Sequence, residues 1–332
     1  MEFLDIFAGI GGFRSGMELA GHKCIGYIEK DKFARKSYEA IYNTKGEWTA
    51  YDVQKVQATE IPKTACWCFG FPCQDISVAG KQKGIRQGNR SSLFYAVTGL
   101  IKNLKEEDRP QCLFIENVKG LLSINRGFDF LRILTELDEI GYDAEWDVLD
   151  TAEVLPQHRE RIYIIGHLRG KNTRQVFPIR AGEESNAKKF SRVINTATSK
   201  HGETIRVRRY ACKKQAKAVV PVLTPARIKK RQNGRRFKTS GEPMFTLTAQ
   251  DRHGILEFNK DFLQGITSVD DERLYQNLII RTLTPLECWR LQGFTDEQFF
   301  KAKNTGISDS QLYKQAGNAA SIPVVELIAK RL

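Results

Sequence analysis

The sequence predicts an α/β protein with a mostly parallel sheet covered by helices on both faces, carrying a smaller strand- and loop-rich domain. Three observations lead there. Short apolar runs alternate with amphipathic stretches over the first 170 residues, the pattern stops near residue 171 in a basic segment rich in glycine and hydroxyls, and helical character returns after about 276. Strands separated by helices need crossover connections, and these bury a parallel sheet on both faces. The expected division is a main domain made of residues 1–170 plus 276–332, with 171–275 inserted as the smaller one.

Phe3 to Phe7 is an apolar run broken only by Asp5, as for a central buried strand, and Phe13 to Ala20 follows Gly11-Gly12 as a helix. Cys24 to Ile28 is a second strand and Asp31 to Tyr42 a second helix. Ala65 to Phe69 and Cys112 to Ile115 are further strands, with a helix between them at Leu93 to Leu104. Asp143 to Leu149 and Arg161 to Gly166 are joined by a short link, which predicts an antiparallel pair closing one sheet edge. The insert offers only short polar strands such as Ile205 to Arg208. Thr284-Pro285-Leu286-Glu287 is a helix start, with a hydroxyl N-cap, Pro at the first position and Glu three residues on. Thr284 to Gln292 and Ser308 to Leu332 are the expected C-terminal helices.

The 332 residues, 41% hydrophobic and 27% charged, suit a soluble globular chain. No apolar run reaches bilayer length, and Met1-Glu2-Phe3-Leu4-Asp5 lacks the basic and apolar parts of a secretory signal. The expected location is the cytoplasm. Seven cysteines, mostly inside apolar stretches, argue against a disulfide framework. Cys66, Cys68 and Cys73 lie close together, but no Cys or His follows at zinc-finger spacing, so no metal is expected. The net charge of +13 is concentrated: residues 171–240 hold 20 Lys and Arg against 3 Asp and Glu, while the other 262 residues hold 32 against 36. A merely solvated face does not need such a surplus, and a phosphate backbone does. Charge does not separate DNA from RNA.

Three segments carry chemistry. Phe7-Ala8-Gly9-Ile10-Gly11-Gly12 is a glycine turn between a strand and a helix, where backbone can approach a ligand, and Glu29 ends the next strand where ribose hydroxyls would meet a carboxylate. Its spacing departs from the dinucleotide fingerprint, and many glycine turns and dehydrogenases share such features. Gly70-Phe71-Pro72-Cys73-Gln74 puts a thiol in a loop at the carboxyl end of a strand, against the plain alternative of a buried inert cysteine. Glu116-Asn117-Val118, after the strand Cys112 to Ile115, brings a carboxylate to the same sheet edge, where an isolated Glu is otherwise a solvated loop residue.

Phe7 to Gly12, Pro72-Cys73-Gln74, Glu116-Asn117-Val118, Gln157-His158-Arg159-Glu160-Arg161 and Gln315-Ala316-Gly317-Asn318 occur in the order of the DNA (cytosine-5) methyltransferase family, which the chain resembles over nearly its whole length. The resemblance implies the Rossmann-like sheet of class I S-adenosylmethionine-dependent methyltransferases, with the basic insert as a target recognition domain. It implies Cys73 as nucleophile toward C6 of a flipped-out cytosine, because C5 alone is too poor a nucleophile to take a methyl group. Glu116 would assist at N3, Arg161 would hold the cytosine O2 and Arg159 would support the site. An ordinary salt-bridged edge strand is the plain alternative for the two arginines.

The resemblance further implies a cofactor pocket along Phe7, Gly9, Gly11 and Gly12, with Glu29 on the ribose, Asp52 and Val53 at the adenine, and Pro72, Leu93 and Asn318 completing it; S-adenosylhomocysteine would be the product. For duplex DNA it implies Gln74 and Ser77, then a basic loop over Val78 to Arg90 with Lys81, Lys83, Arg86 and Arg90, whose plain alternative is a solvated loop. Base readers are expected among Arg206, Arg208, Arg209, Arg231, Gln232, Arg235, Arg236, Gln250, Asp251 and Arg252, with Thr246-Leu247 as the family's Thr-Leu pair. A monomer is expected, either paired with a cognate restriction endonuclease or solitary. The chain departs from the family at Ala319, where Ser is usual, and at Gly88 to Ser92, where an Asp is usual. The alternatives are a transfer-RNA methyltransferase of the same family, a non-enzymatic DNA-binding module and a nicotinamide-dependent dehydrogenase. The module leaves Cys73 and Glu116 without a role, and the dehydrogenase explains only the glycine turn.

Overall fold

The computed structural model describes residues 1–71, 93–179, 220–225, 237–239, 242–258 and 278–332. Among them, seven strands form one sheet: β1 (Glu2–Ile6), β2 (Lys23–Ile28), β3 (Trp48–Ala50), β4 (Cys66–Gly70), β5 (Cys112–Val118), β6 (Tyr142–Asp150) and β7 (Glu160–Leu168). Their order is β3-β2-β1-β4-β5-β7-β6. β1 to β5 run parallel, and β7 is antiparallel to both neighbours. The expected antiparallel pair therefore closes one edge. A separate antiparallel sheet joins β8 (Val220–Val222), β9 (Gly254–Phe258) and β10 (Leu278–Thr282).

Alternation along the strands builds two cores. Leu4, Ile6, Trp67, Phe69, Leu113, Ile115, Ile162 and Ile164 face one side, under α3 (Leu93–Asn103) and α4 (Phe128–Glu139). Phe3, Cys66, Cys68, Cys112, Phe114, Tyr163 and Ile165 face the other, against α1 (Gly12–Leu19) and α8 (Ile322–Ala329). α1 and α8 approach closely because Gly16 has no side chain: a Cβ there would lie 2.5 Å from Val325 Cγ1. Val176, Phe177 and Ile179 also enter this second core, so residues that the sequence reading assigned to the smaller domain pack on the main sheet. A third cluster joins Met244, Leu247 and Ile255 to Leu283, Trp289, Leu291, Phe294 and Leu312.

α2 (Lys32–Ile41) starts where the Asp31 side chain accepts the amides of Phe33 and Ala34. α5 (Pro285–Arg290) has the expected cap, with Thr284 and Glu287 bonding reciprocally. Two expectations are corrected. The single helix foreseen over Ser308 to Leu332 is two, α7 (Asp309–Asn318) and α8. Pro323 has no amide to continue the first helix, and Arg159 takes the carbonyls of Gly317 and Ala319 at the break. β5 runs three residues past Ile115, because Glu116, Asn117 and Val118 pair with Tyr163, Ile162 and Arg161. β3, α4 and α6 (Asp296–Lys303) had no counterpart in the sequence reading.

Candidate active site

Parallel strands put their carboxyl ends on one edge, and the start of antiparallel β7 joins them there. The turn after β1, Glu29 after β2, Asp52 after β3, Phe71 after β4, Glu116 near the end of β5 and Arg161 at the start of β7 thus share one edge. Each has a role proposed from sequence except Phe71, which stands only within the Gly70-Phe71-Pro72-Cys73-Gln74 motif. At the turn, Phe7, Gly9 and Gly11 have φ of 56°, 57° and 85°. For Phe7 this left-handed conformation is strained, and strain of this kind gathers at ligand sites. The Gly9 amide donates to Glu29 Oε2 at 2.7 Å, and the Asp31 amide to Oε1 at 2.6 Å. Burial raises the Glu29 carboxyl above its ordinary range, against the pull of both amides. Lys30 reaches Asp52 Oδ2 at 2.7 Å and holds that carboxyl below its ordinary range. Val53 is buried behind it and Leu93 begins α3.

The C-terminal motif folds back onto this turn. A Cβ on Gly12 would lie 2.6 Å from the Ala320 carbonyl oxygen, so the stretch carrying exposed Asn318 rests against the glycines. Two acidic side chains at neighbouring strand tips above a glycine turn, one of them oriented by an amide of that turn, fit a nucleoside with a ribose diol and an exocyclic amine.

At the other end of the edge, Glu116 Oε1 meets Arg161 Nε at 3.0 Å, with 15% and 13% of their side chains exposed. Gly70 beside it leaves room, since a Cβ there would stand 3.0 Å from Glu116 Oε2. Buried Asn117 donates from Nδ2 to the Phe71 carbonyl at 3.1 Å, tying the end of β4 to β5 just before Pro72 and Cys73. Arg159 is 2% exposed and donates to the carbonyls of Leu247 (3.0 Å), Gly317 (3.2 Å) and Ala319 (2.9 Å). Burial, with Arg161 alongside, pulls its pKa down to about 9. It remains a cation at neutral pH, held by three carbonyl dipoles. Arg159 thus joins the Leu247 segment to the C-terminal helices, with the Glu116–Arg161 pair nearby.

Gln157 was quoted in a motif but given no role from sequence. Fully buried, it donates to the Leu291 carbonyl and accepts from the Leu247 amide, both at 2.9 Å. A buried Gln satisfied at both ends is the signal that could have found it, and sequence does not show burial. Thr246 donates to the His158 carbonyl at 2.6 Å. Gln250 is exposed, Asp251 bonds the Thr248 hydroxyl, and Arg252 reaches Ser310 at 2.8 Å and lies over the Tyr313 ring. Pro72, Cys73, Gln74, Ser77, Lys81, Lys83, Arg86, Arg90, Arg206, Arg208, Arg209, Arg231, Gln232, Arg235 and Arg236 lie outside the described residues. Of the seven cysteines, Cys24, Cys66, Cys68, Cys112 and Cys288 are free and buried. Burial pushes Cys24 up to about 12 and Cys68 up to about 11, which keeps both thiols protonated and inert.

Residues 1–332 match the family model described as C-5 cytosine-specific DNA methylase. The chain belongs to that family. The orphan methyltransferase M.SPRI of Bacillus phage SPR is 30% identical across the whole chain and 97% of its own length. The type II methyltransferase M.HpaII of Haemophilus parainfluenzae is 28% identical, over 99% of this chain and 88% of that one. In fold, the Entamoeba histolytica methyltransferase EhMeth superposes with a TM-score of 0.66 at 18% identity, covering 98% of this chain and 96% of the other. The protein is therefore a C5 cytosine methyltransferase with the S-adenosylmethionine-dependent methyltransferase fold, and family and fold imply use of that cofactor. No helix among the described residues is long and apolar enough to cross a membrane.

Proposed function

We propose that the protein methylates C5 of a flipped-out cytosine in a specific duplex DNA sequence, through a covalent adduct between Cys73 and C6. The observation that carries this reading is the Glu116–Arg161 pair at the sheet edge, with Asn117 fixing the chain that leads to Cys73. Covalent reach limits the Phe71–Cys73 Cα separation to about 7 Å. The five described thiols are buried, and of the other two cysteines Cys73 follows the end of β4 by three residues whereas Cys212 falls in the basic segment, which supports Cys73 as the nucleophile.

The Cys73 thiolate adds to C6, and the electron pair of the C5–C6 double bond moves toward C5 and the ring. Glu116, in its protonated carboxyl form, donates a hydrogen bond or its proton to N3 as charge builds there, while Arg161 holds O2 and orients the Glu116 side chain. Arg159 anchors this pair against Leu247 and the C-terminal helices. S-adenosylmethionine supplies the methyl group when bound, held by Phe7, Gly9, Gly11, Gly12, Glu29, Asp52, Val53, Pro72, Leu93 and Asn318. Loss of the C5 proton and departure of the thiolate then restore the aromatic ring. The basic insert grips the phosphates, with Thr246 and the arginines of 206–252 in the recognition surface.

Phage orphan and type II methyltransferases among the relatives support a solitary or restriction-linked methylase. A tritiated-methyl transfer assay on unmethylated bacterial genomic DNA and on total transfer RNA tests the substrate. Counts in DNA alone are expected; counts in transfer RNA alone would replace this reading with the RNA-directed one.

A further inference from the structure

We infer that His158 is a DNA phosphodiester contact, an imidazolium pre-aimed by Asp150 at the seam between the catalytic sheet and the recognition segment. This rests on the reading above that the protein acts on duplex DNA.

The residue is pinned on three sides. Its Nδ1 meets Asp150 Oδ2 at 2.5 Å. Its amide donates to the Met244 carbonyl at 2.8 Å, and its carbonyl accepts from Thr246 Oγ1 at 2.6 Å. Asp150 is itself fixed, because Oδ1 accepts the amides of Arg159 at 2.7 Å and Ala152 at 3.0 Å. Yet 51% of the His158 side chain is exposed, and among the described residues Nε2 has no partner. A ring serving only to hold the backbone would not need a buttressed carboxylate and an open second nitrogen. It lies just before β7, on the sheet edge that carries Glu116 and Arg161, and beside Thr246.

The carboxylate settles the tautomer. With Nδ1–H donated to Asp150, Nε2 of the neutral ring is an acceptor and repels a phosphate oxygen. Only the imidazolium donates from Nε2, so a phosphate there draws a proton onto the ring. The other charged groups on the surrounding elements are engaged elsewhere. On β7, Glu160 pairs with Lys119 and Arg161 with Glu116; just before it, Arg159 turns into the core. Glu153 lies in the adjoining 3₁₀ turn. On the facing segment, Lys238 sits on the Pro243 and Met244 carbonyls and Asp251 on Thr248.

The test is binding of a fluorescent random-sequence DNA duplex with S-adenosylhomocysteine present, since a phosphate contact is independent of sequence. His158→Gln is expected to weaken binding about tenfold near pH 6 and less than about twofold near pH 8.5, because only an imidazolium donates from Nε2. His158→Lys should keep the affinity at both. On the native protein, calorimetry of the same duplex in two buffers of different ionisation enthalpy should show proton uptake near pH 7.5. Zero uptake, parallel pH profiles for native and His158→Gln protein, or a fall in kcat with DNA affinity unchanged would overturn the assignment. A native protein that binds no duplex would overturn the DNA reading itself, whereas binding without proton uptake removes only the role of His158.

Discussion

Glu116 and Asp5 are both acids on the main sheet, and their surroundings give them opposite uses. Glu116 is at the open edge beside Arg161, with Gly70 leaving space next to its carboxylate. Glu116→Gln keeps the shape and removes the acid, so kcat should fall about 100- to 1000-fold with little change in KM for DNA, as steady-state methyl transfer would show. Asp5 is 1% exposed in β1, accepts from Tyr38 at 3.3 Å, and is pushed well above the ordinary carboxyl range by burial. A raised folded pKa gives stability that is complete below the unfolded pKa and is lost as pH rises through the folded one. Asp5→Asn cannot titrate, so its melting temperature should gain on the native protein over the range of rising pH above the ordinary carboxyl value of about 4. A constant difference across that range would show that Asp5 does not titrate there. Sequence could name Glu116 because its motif is local, but it could not foresee Asp5, because desolvation depends on what covers a residue.

Strands and turns were the legible elements. Apolar runs at Phe3, Cys24, Ala65 and Cys112 became β1, β2, β4 and β5, and the edge pair became β6 and β7. What escaped depended on distant partners. β5 lengthened to match β7, β3 is three residues long against β2, and the C-terminal helix broke where Arg159 binds its carbonyls. Gly317 shows how tight that joint is, since a Cβ there would lie 2.3 Å from the Thr248 carbonyl carbon. Gly317→Ala must push the Thr248 backbone off α7, costing about 1–3 kcal/mol. Thermal melting should drop by several degrees with weaker methyl transfer; an unchanged melting temperature would show that the joint yields freely.

On the scale of the whole molecule, both chain ends build one side of the chemistry. The glycine turn of the N-terminal strand and the Gly317 to Ala320 stretch of the C-terminal helices meet at Gly12, while Arg159 and Gln157 bind the Leu247 segment to those C-terminal helices. Under the proposed reading, the concentration of positive charge in residues 171–240 would match a polyanionic substrate, and the sheet edge would supply the reacting groups. Neither alone explains a cytosine methylase: charge without Glu116 and Cys73 is a binding surface, and those groups without a polyanion clamp have no flipped base to act on. Bisulfite sequencing of DNA from cells expressing the native protein or Cys73→Ser tests this union most directly. The native protein should leave unconverted cytosines at one recurring sequence, and Cys73→Ser should leave none. Protected cytosines in the Cys73→Ser cells would contradict the account.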